Sequence, residues 1–297
     1  TENGFVKDQI DKRIDFQVAF SEQEKKFESA VLQHLETRAK VVKIGSPYTN
    51  QDENSVIQAT RAALLEGAEI IFQGLLNDPD SKTYGTPDFL FRSDVLARIF
   101  PSTLSKREAN YAAPGLPNSK WHYLVVNTKF ITLEVRSDGT LSHSQNFKAL
   151  KIQAFISDQA LGKIQGYAPS SAFLLGRGWK RRSSRKELSS FNVMDKLGRI
   201  IVDQETDEGK ELAALANDAT NWVRRLCKDG QMWSVQPTPS TNELRVNAKA
   251  SQHYWSKAVK KILAQTEDLT TLFRVSAKNR SLANSKGIER WSDPLVN

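Results

Sequence analysis

The stretch WHYLVVNTKFITLEV, residues 121–135, has the strongest β-strand pattern in the chain. Its first half is apolar and rich in β-branched residues, which favour an extended backbone. Asn127 and Lys129 interrupt this run two positions apart, so a strand places both side chains on one face. A lysine is rare in a buried strand unless a negative group compensates its charge. The stretch therefore predicts a core strand that ends in a polar site.

The hydrophobic pattern on either side of this strand alternates between helical and extended periods. Helices are predicted at residues 21–38, 51–68 and 145–166, and further strands at 39–45, 69–76, 86–94 and 170–178. Beyond residue 180, a short strand at 198–204 precedes helical stretches at 207–230, 252–265 and 268–287. This order predicts an α/β fold with a sheet flanked by helices, followed by a mainly helical C-terminal region.

The composition excludes several classes of protein. With 297 residues, 39% hydrophobic and 26% charged, the chain is long enough for a sizeable core. It has neither an apolar run long enough to span a membrane nor a signal peptide, so we expect an intracellular protein, cytoplasmic or nuclear. Because Cys227 is the only cysteine, an intramolecular disulfide and a cysteine-rich zinc site are excluded. The first residue, Thr1, suggests a processed chain or a piece of a longer one.

The net charge of +8 favours a polyanionic partner such as nucleic acid. A charge run at residues 176–187, GRGWKRRSSRKE, has two interpretations: a solvated loop, or a phosphate-binding segment with an aromatic base-stacking platform. In the second interpretation the nucleic-acid-binding residues are Arg177, Trp179, Lys180, Arg181, Arg182 and Arg185.

A carboxylate is predicted to lie beside Asn127 and Lys129. Asp88, in the segment GTPDFLF, stands at the start of the predicted strand 86–94. An aspartate near a turn often binds loop backbone, which is the simpler interpretation. If the two strands pair, however, an acid, an amide and an ammonium group share one site. Such a site suits a hard divalent cation, and Lys129 would stabilise a phosphate or an attacking water.

The motif PD at 87–88 followed by NTK at 127–129 resembles the PD-(D/E)xK nuclease superfamily, with Asn127 where the family has Asp or Glu. The segments ATRAALLEGAEIIFQGLL and KIQAFISDQALGKIQGYAPSSAFLLGRG are similar to its RecB-like branch. Gln153 matches the glutamine of the second motif, whereas Ser157 stands where an aromatic residue is usual. Glu28, in KKFESAVLQHL, matches the acidic position on the first helix. The resemblance covers residues 20–180.

This resemblance implies a restriction-endonuclease-like core with a central mixed sheet over residues 1–180. Residues 181–297 would form a mainly helical region that contributes to nucleic-acid binding. The implied activity is hydrolysis of DNA phosphodiester bonds with Mg²⁺ or Mn²⁺, as an endonuclease or exonuclease, on single or double strands. By analogy, such a protein serves DNA repair or defence in bacteria or viruses, with a helicase or another domain as its partner. The sequence leaves RNA open as the substrate.

The resemblance also implies residue roles. The metal ligands would be Asp88, Asn127, the carbonyl of Thr128, and Glu28. Lys129 would polarise the scissile phosphate or position the water, and Gln153 would position Lys129 or the nucleic-acid backbone.

Asn127 removes one negative charge from the site, so we expect this chain to be nearly or wholly inactive. One explanation is an introduced Asp-to-Asn substitution that traps the enzyme. The other is a natural, non-catalytic nucleic-acid-binding module on the same fold.

Overall fold

A computed structural model describes residues 16–45, 52–117, 119–182, 187–236, 238–250 and 255–296. The elements of its first half are α1 (Phe16–Glu36), β1 (Val41–Lys43), α2 (Glu53–Leu65), β2 (Ile70–Phe72), β3 (Leu76–Asp78), β4 (Thr83–Gly85), β5 (Phe89–Arg92), α3 (Ser93–Ile99), α4 (Lys106–Ala109) and β6 (Tyr123–Glu134). The second half has α5 (Gln145–Gln165), β7 (Ser171–Arg182), β8 (Glu187–Ser190), β9 (Gly198–Ile201), α6 (Asp207–Asp229), α7 (Ser256–Gln265) and α8 (Ala277–Asn284).

Within the described residues, seven strands form one mixed sheet in the order β1-β2-β5-β6-β7, with β8 and β9 both paired to β7. β1 and β2 are parallel, β5 is antiparallel to β2 and to β6, and β6 is parallel to β7. The parallel pair β6–β7 is joined by α5, as a crossover connection requires. The predicted α/β class, with a mixed sheet flanked by helices and a helical C-terminal region, is confirmed.

Hydrophobic residues are buried on both faces of the sheet, and the alternation along β6 explains how. Tyr123 and Val125 belong to the core formed with α2 and α5, whereas Leu124 and Val126 belong to the core formed with α1 and α3. Successive strand residues point to opposite faces, so a strand covered on both sides is apolar throughout. The apolar run stops at Asn127, where the candidate site begins.

A small hairpin of β3 and β4 packs against α5. The turn-rich sequence NDPDSKTYG predicts a loop at 77–85, but β3 extends from Leu76 to Asp78 and β4 occupies Thr83–Gly85, so that prediction was wrong for these residues. At Gly85 an added Cβ would lie only 2.7 Å from Ser157 Cα. This close approach of the hairpin to α5 therefore requires a glycine at position 85.

The chain divides into two compact units, one of Phe16–Asn221 and one that includes Trp222–Asn297. The predicted boundary at residue 180 falls within β7, and both β8 and β9 extend the sheet beyond it. In the second unit, α7 buries its apolar face and α8 contributes Arg280 to a buried ion pair with Asp268 at 2.9 Å. None of the helices in the described ranges is long and apolar enough to cross a membrane.

Candidate functional site

The register of β5 and β6 brings Asp88 to Asn127. Phe89 pairs with Val126 in antiparallel register, so Asp88, which precedes Phe89, lies opposite Asn127, which follows Val126. The backbone N–H of Asp88 donates to Asn127 Oδ1 at 3.2 Å, and Asn127 is only 3% exposed. The predicted pairing of these strands is therefore confirmed. Asn127 has a structural role here, because its oxygen satisfies a backbone donor at the end of a strand.

The carboxylate of Asp88 is held by Thr128. The backbone N–H and the hydroxyl of Thr128 both donate to Asp88 Oδ2, at 2.6 and 2.9 Å. Among the described residues no hydrogen-bond donor reaches Asp88 Oδ1. Thr128 thus orients Asp88 with its side chain, a contribution that the sequence did not indicate.

Glu28 approaches the same point from α1. Its Oε1 accepts a hydrogen bond from Gln73 Nε2 at 2.9 Å, while the backbone N–H of Gln73 donates to the carbonyl of Asp88 at 2.9 Å. Gln73 has a left-handed backbone with φ 52°, which is costly for a residue other than glycine. Gln73 therefore links α1 to the start of β5. The sequence does not predict Gln73 as a site residue, although its position between β2 and Gly74 is the one available signal.

Lys129 projects its ammonium group toward α1 and lies 3.7 Å from Glu24 Oε1. Glu24 precedes Glu28 by four residues, so both lie on one face of the helix. The register between β6 and β7 shifts between Lys129 and Thr132, which ends the regular pairing just after the site. Glu24 is therefore an acidic neighbour of Lys129 that the sequence does not predict.

The electrostatics of the site favour protonated carboxyl groups. Burial raises the pKa of Asp88, against the hydrogen bonds from Thr128 and the charge of Lys129, which lower it. Burial, and after it repulsion from Asp88, raises the pKa of Glu28, while the Gln73 hydrogen bond and Lys129 lower that pKa. The charge of Asp88 raises the pKa of Glu28, and the charge of Glu24 raises the pKa of Asp88, so negative charges accumulate here and a bound cation would relieve their repulsion.

These residues partly fit a divalent cation. The donors are oxygens only, which suits Mg²⁺ or Mn²⁺. Yet no group of three or more His, Cys, Asp or Glu side chains in the part of the chain that is described is placed to hold a metal ion. Asn127 supplies a neutral oxygen that already accepts one hydrogen bond. The arrangement therefore offers two carboxylates and neutral oxygens, a weak set that a carboxylate at position 127 would complete.

Gln153 is placed apart from these residues. It is exposed on α5, whose buried face is formed by residues such as Ala154 and Leu161. No hydrogen bond joins Gln153 to Lys129 among the residues that the structure covers. Its predicted role in positioning Lys129 has no contact to support it here.

The basic segment follows the site along β7. Arg177 is exposed, and its guanidinium lies over the ring of Phe130 at 5.1 Å. Trp179 donates to Asp195 Oδ2 at 2.6 Å and carries Lys196 over its ring at 4.5 Å, which limits its use as a stacking platform. Lys180 is paired with Glu134 at 3.0 Å.

The remaining predicted contacts are less defined. Arg181 is half-buried and pairs in register with Leu188. Arg182 ends β7, and Arg185 lies outside the described residues. Of the basic residues predicted to bind nucleic acid, Arg177 is the one that lies exposed next to the site, since Gly176 pairs with Lys129.

Comparison with known proteins adds no identification. No family model matches the chain, and no curated protein matches it either.

Proposed function

We propose that the chain has the restriction-endonuclease-like core of a RecB-like nuclease, which hydrolyses DNA phosphodiester bonds with a divalent metal ion. In this proposal Asn127 keeps the chain nearly inactive. The observation that carries the proposal is the convergence of Asp88, Asn127, Lys129 and Glu28, which come from α1, β6 and the residue before β5, at the point where β5 begins.

The residues of this cluster divide the chemistry of phosphodiester cleavage among them. Lys129 offers a positive charge to the non-bridging oxygens, where negative charge develops in the transition state. Glu28, which approaches from α1 and is held by Gln73, would bind the metal ion or a water on it from the far side of the site. Asp88, held by two hydrogen bonds from Thr128 to its Oδ2, keeps its Oδ1 in a fixed direction. Fixed groups of this kind cost little reorganisation during the reaction.

A divalent ion, when bound, would supply Lewis-acid stabilisation of the phosphate and lower the pKa of a bound water. Asp88 and Glu28 would hold it, with the oxygen of Asn127 as a neutral third donor. Replacing an aspartate by this amide removes one unit of charge from the site. Loss of one important electrostatic group commonly lowers a rate by about 10²–10³-fold.

Arg177 extends the site toward the nucleic-acid backbone. Its guanidinium rests on Phe130, which in turn contacts Phe27 at 5.7 Å between ring centroids. This stacking orients the guanidinium of Arg177, which follows Gly176, the register partner of Lys129, and it would contact a phosphate adjacent to the scissile one. The DNA strand would therefore cross the middle of β6 and β7.

The second candidate function is nucleic-acid binding without cleavage. One observation favours it: Asn127 is already used by the fold, because its oxygen accepts the Asp88 backbone N–H. A site that has adapted to an amide in this way would bind phosphate through Lys129 and Arg177 without needing a metal.

The metal site can be tested without turnover, by titrating Mn²⁺ and following free Mn²⁺ by electron paramagnetic resonance. We expect Asp88→Asn to weaken Mn²⁺ binding and Asn127→Asp to strengthen it, each by tenfold or more. Asp218→Asn is the matched control, since Asp218 is an exposed residue of α6 outside the cluster. Equal Mn²⁺ affinity in the Asp88→Asn variant and the unaltered chain would refute the metal site.

A further inference from the structure

The positive charge of the chain is concentrated in the second unit. Residues 222–297 contain 13 Lys and Arg and 6 Asp and Glu, so they contribute +7 of the total net charge of +8. The first unit, although it is larger, is close to neutral. The electrostatic attraction for a polyanion therefore comes mainly from the second unit.

Helix α7 presents this charge in a regular pattern. Its buried face consists of Ala258, Val259, Ile262 and Leu263. Lys257, Lys260 and Lys261 are exposed on the other side, at i, i+3 and i+4 spacing, and the helix contains no acidic residue. Exposed ammonium groups at this spacing are suited to contact successive phosphates of a nucleic-acid strand.

A second feature of the unit is an exposed aromatic tip. Phe273 is 83% exposed, and the guanidinium carbon of Arg274 lies 5.1 Å from the centre of its ring. Arg274 has a left-handed backbone with φ 59°, a conformation that costs free energy in a residue other than glycine. An exposed aromatic ring with an arginine beside it is suited to stack with a nucleic-acid base.

We infer that the second unit is a nucleic-acid-binding surface in its own right. The α7 lysines contact phosphates, and Phe273 with Arg274 stacks on an unpaired base. The choice of nucleic acid as the polyanion rests on the proposed function. An anionic membrane fits less well, because the apolar face of α7 is buried and cannot insert into lipid.

The test uses the full chain and a fluorescein-labelled single-stranded oligonucleotide, with affinity measured by anisotropy over a range of salt concentrations. In the Lys260→Gln/Lys261→Gln variant we expect the slope of log affinity against log salt to fall by about 1.4, since each lost phosphate contact reduces it by about 0.7. The Lys260→Arg/Lys261→Arg variant keeps the slope. Lys106→Gln/Arg107→Gln, an exposed basic pair on α4, removes the same charge from the first unit and leaves the slope unchanged.

The stacking half of the inference has its own variants. Phe273→Ala should lower the affinity for the single strand about tenfold, with little change in the salt slope, and Phe273→Tyr should retain it. Circular dichroism melting of each variant confirms that it is folded.

The inference is overturned if the α7 variant keeps the full slope, or if the α4 control loses as much. It is also overturned if the unaltered chain binds phosphatidylserine vesicles and no oligonucleotide. The two proposals fail separately. If Asn127→Asp cuts DNA while the α7 variant keeps its slope, only the present inference fails. If the α7 variant loses its slope while Asn127→Asp is inert, only the nuclease proposal fails.

Discussion

At the scale of single residues, Asn127 is a neutral amide at a position where the motif resemblance implies a carboxylate. Its oxygen accepts the backbone N–H of Asp88, so the amide is compatible with the fold. The sequence predicts that Asp88, Asn127 and Lys129 meet, because strand alternation and a motif resemblance fix their faces. It does not predict the hydrogen bonds of Thr128 or the bridge from Gln73 to Glu28, since these depend on rotamers and on a left-handed backbone.

The raised pKa of Asp88 gives a stability prediction. Its folded pKa lies above the ordinary value of 3.8, so the folded state holds a proton that the unfolded state releases. Stability from this group is therefore complete at acidic pH and is lost as pH rises from about 4 through the raised pKa. Asp88→Asn cannot ionise. We expect its melting temperature, measured in EDTA, to match the unaltered chain at pH 4 and to exceed it at pH 7.

Bound divalent metal should offset the stability that the chain loses when Asp88 ionises. Added Mn²⁺ should raise the melting temperature of the unaltered chain at pH 7 and leave that of the Asp88→Asn variant unchanged, because a ligand stabilises only the state that binds it. If the melting temperatures of the unaltered chain and the Asp88→Asn variant in EDTA differed by the same amount at every pH from 4 to 7, this would contradict a buried carboxyl group with a raised pKa at position 88.

At the scale of elements, helices and strands with regular apolar spacing were predicted well, whereas those that depend on distant contacts were predicted poorly. α1, α2, α5, β6 and β7 lie within a few residues of their predicted ranges, because their apolar spacing is regular. α1 begins at Phe16, so a capping box at Ser21 and Glu24, which the local sequence favours, is absent. α3 starts at Ser93 inside a predicted strand, where the Ser93 hydroxyl bonds the carbonyl of Ala109. A contact sixteen residues away cannot be read from local spacing.

Helix α5 contains an unusual buried group, Asp158, which is 0% exposed. Neither of its carboxyl oxygens has a hydrogen-bond partner among the described residues, and burial raises its pKa well above the ordinary value. The sign is the same as for Asp88: stability is complete at acidic pH and falls as pH rises. Asp158→Asn should therefore melt at a higher temperature than the unaltered chain, by a margin that grows from pH 5 to pH 8.

Asp218→Asn serves again as the control and should show no such growth, because Asp218 is exposed. A constant difference between the Asp158→Asn variant and the unaltered chain at every pH would show that Asp158 ionises as freely in the folded as in the unfolded state.

At the scale of the whole molecule, the sequence predicts the α/β class and the helical C-terminal region but not the point where the chain divides. The predicted core ends at residue 180, yet β7 continues through this position and β9 returns to pair with β7. The basic residues Lys180 and Arg181 lie within β7, where β8 pairs with them. The division at Asn221 falls inside α6, a continuous helix whose sequence gives no Gly or Pro signal at that point.

The measurement that tests the central claim most directly is DNA cleavage by the Asn127→Asp variant of the full chain. Labelled single- and double-stranded oligonucleotides are incubated with Mg²⁺ or Mn²⁺, and products are resolved on a denaturing gel. We predict metal-dependent cleavage that EDTA abolishes, at a rate about 10²-fold or more above the unaltered chain. Adding Lys129→Ala to the variant should abolish it. A folded Asn127→Asp variant that cleaves neither substrate with either metal would contradict the account.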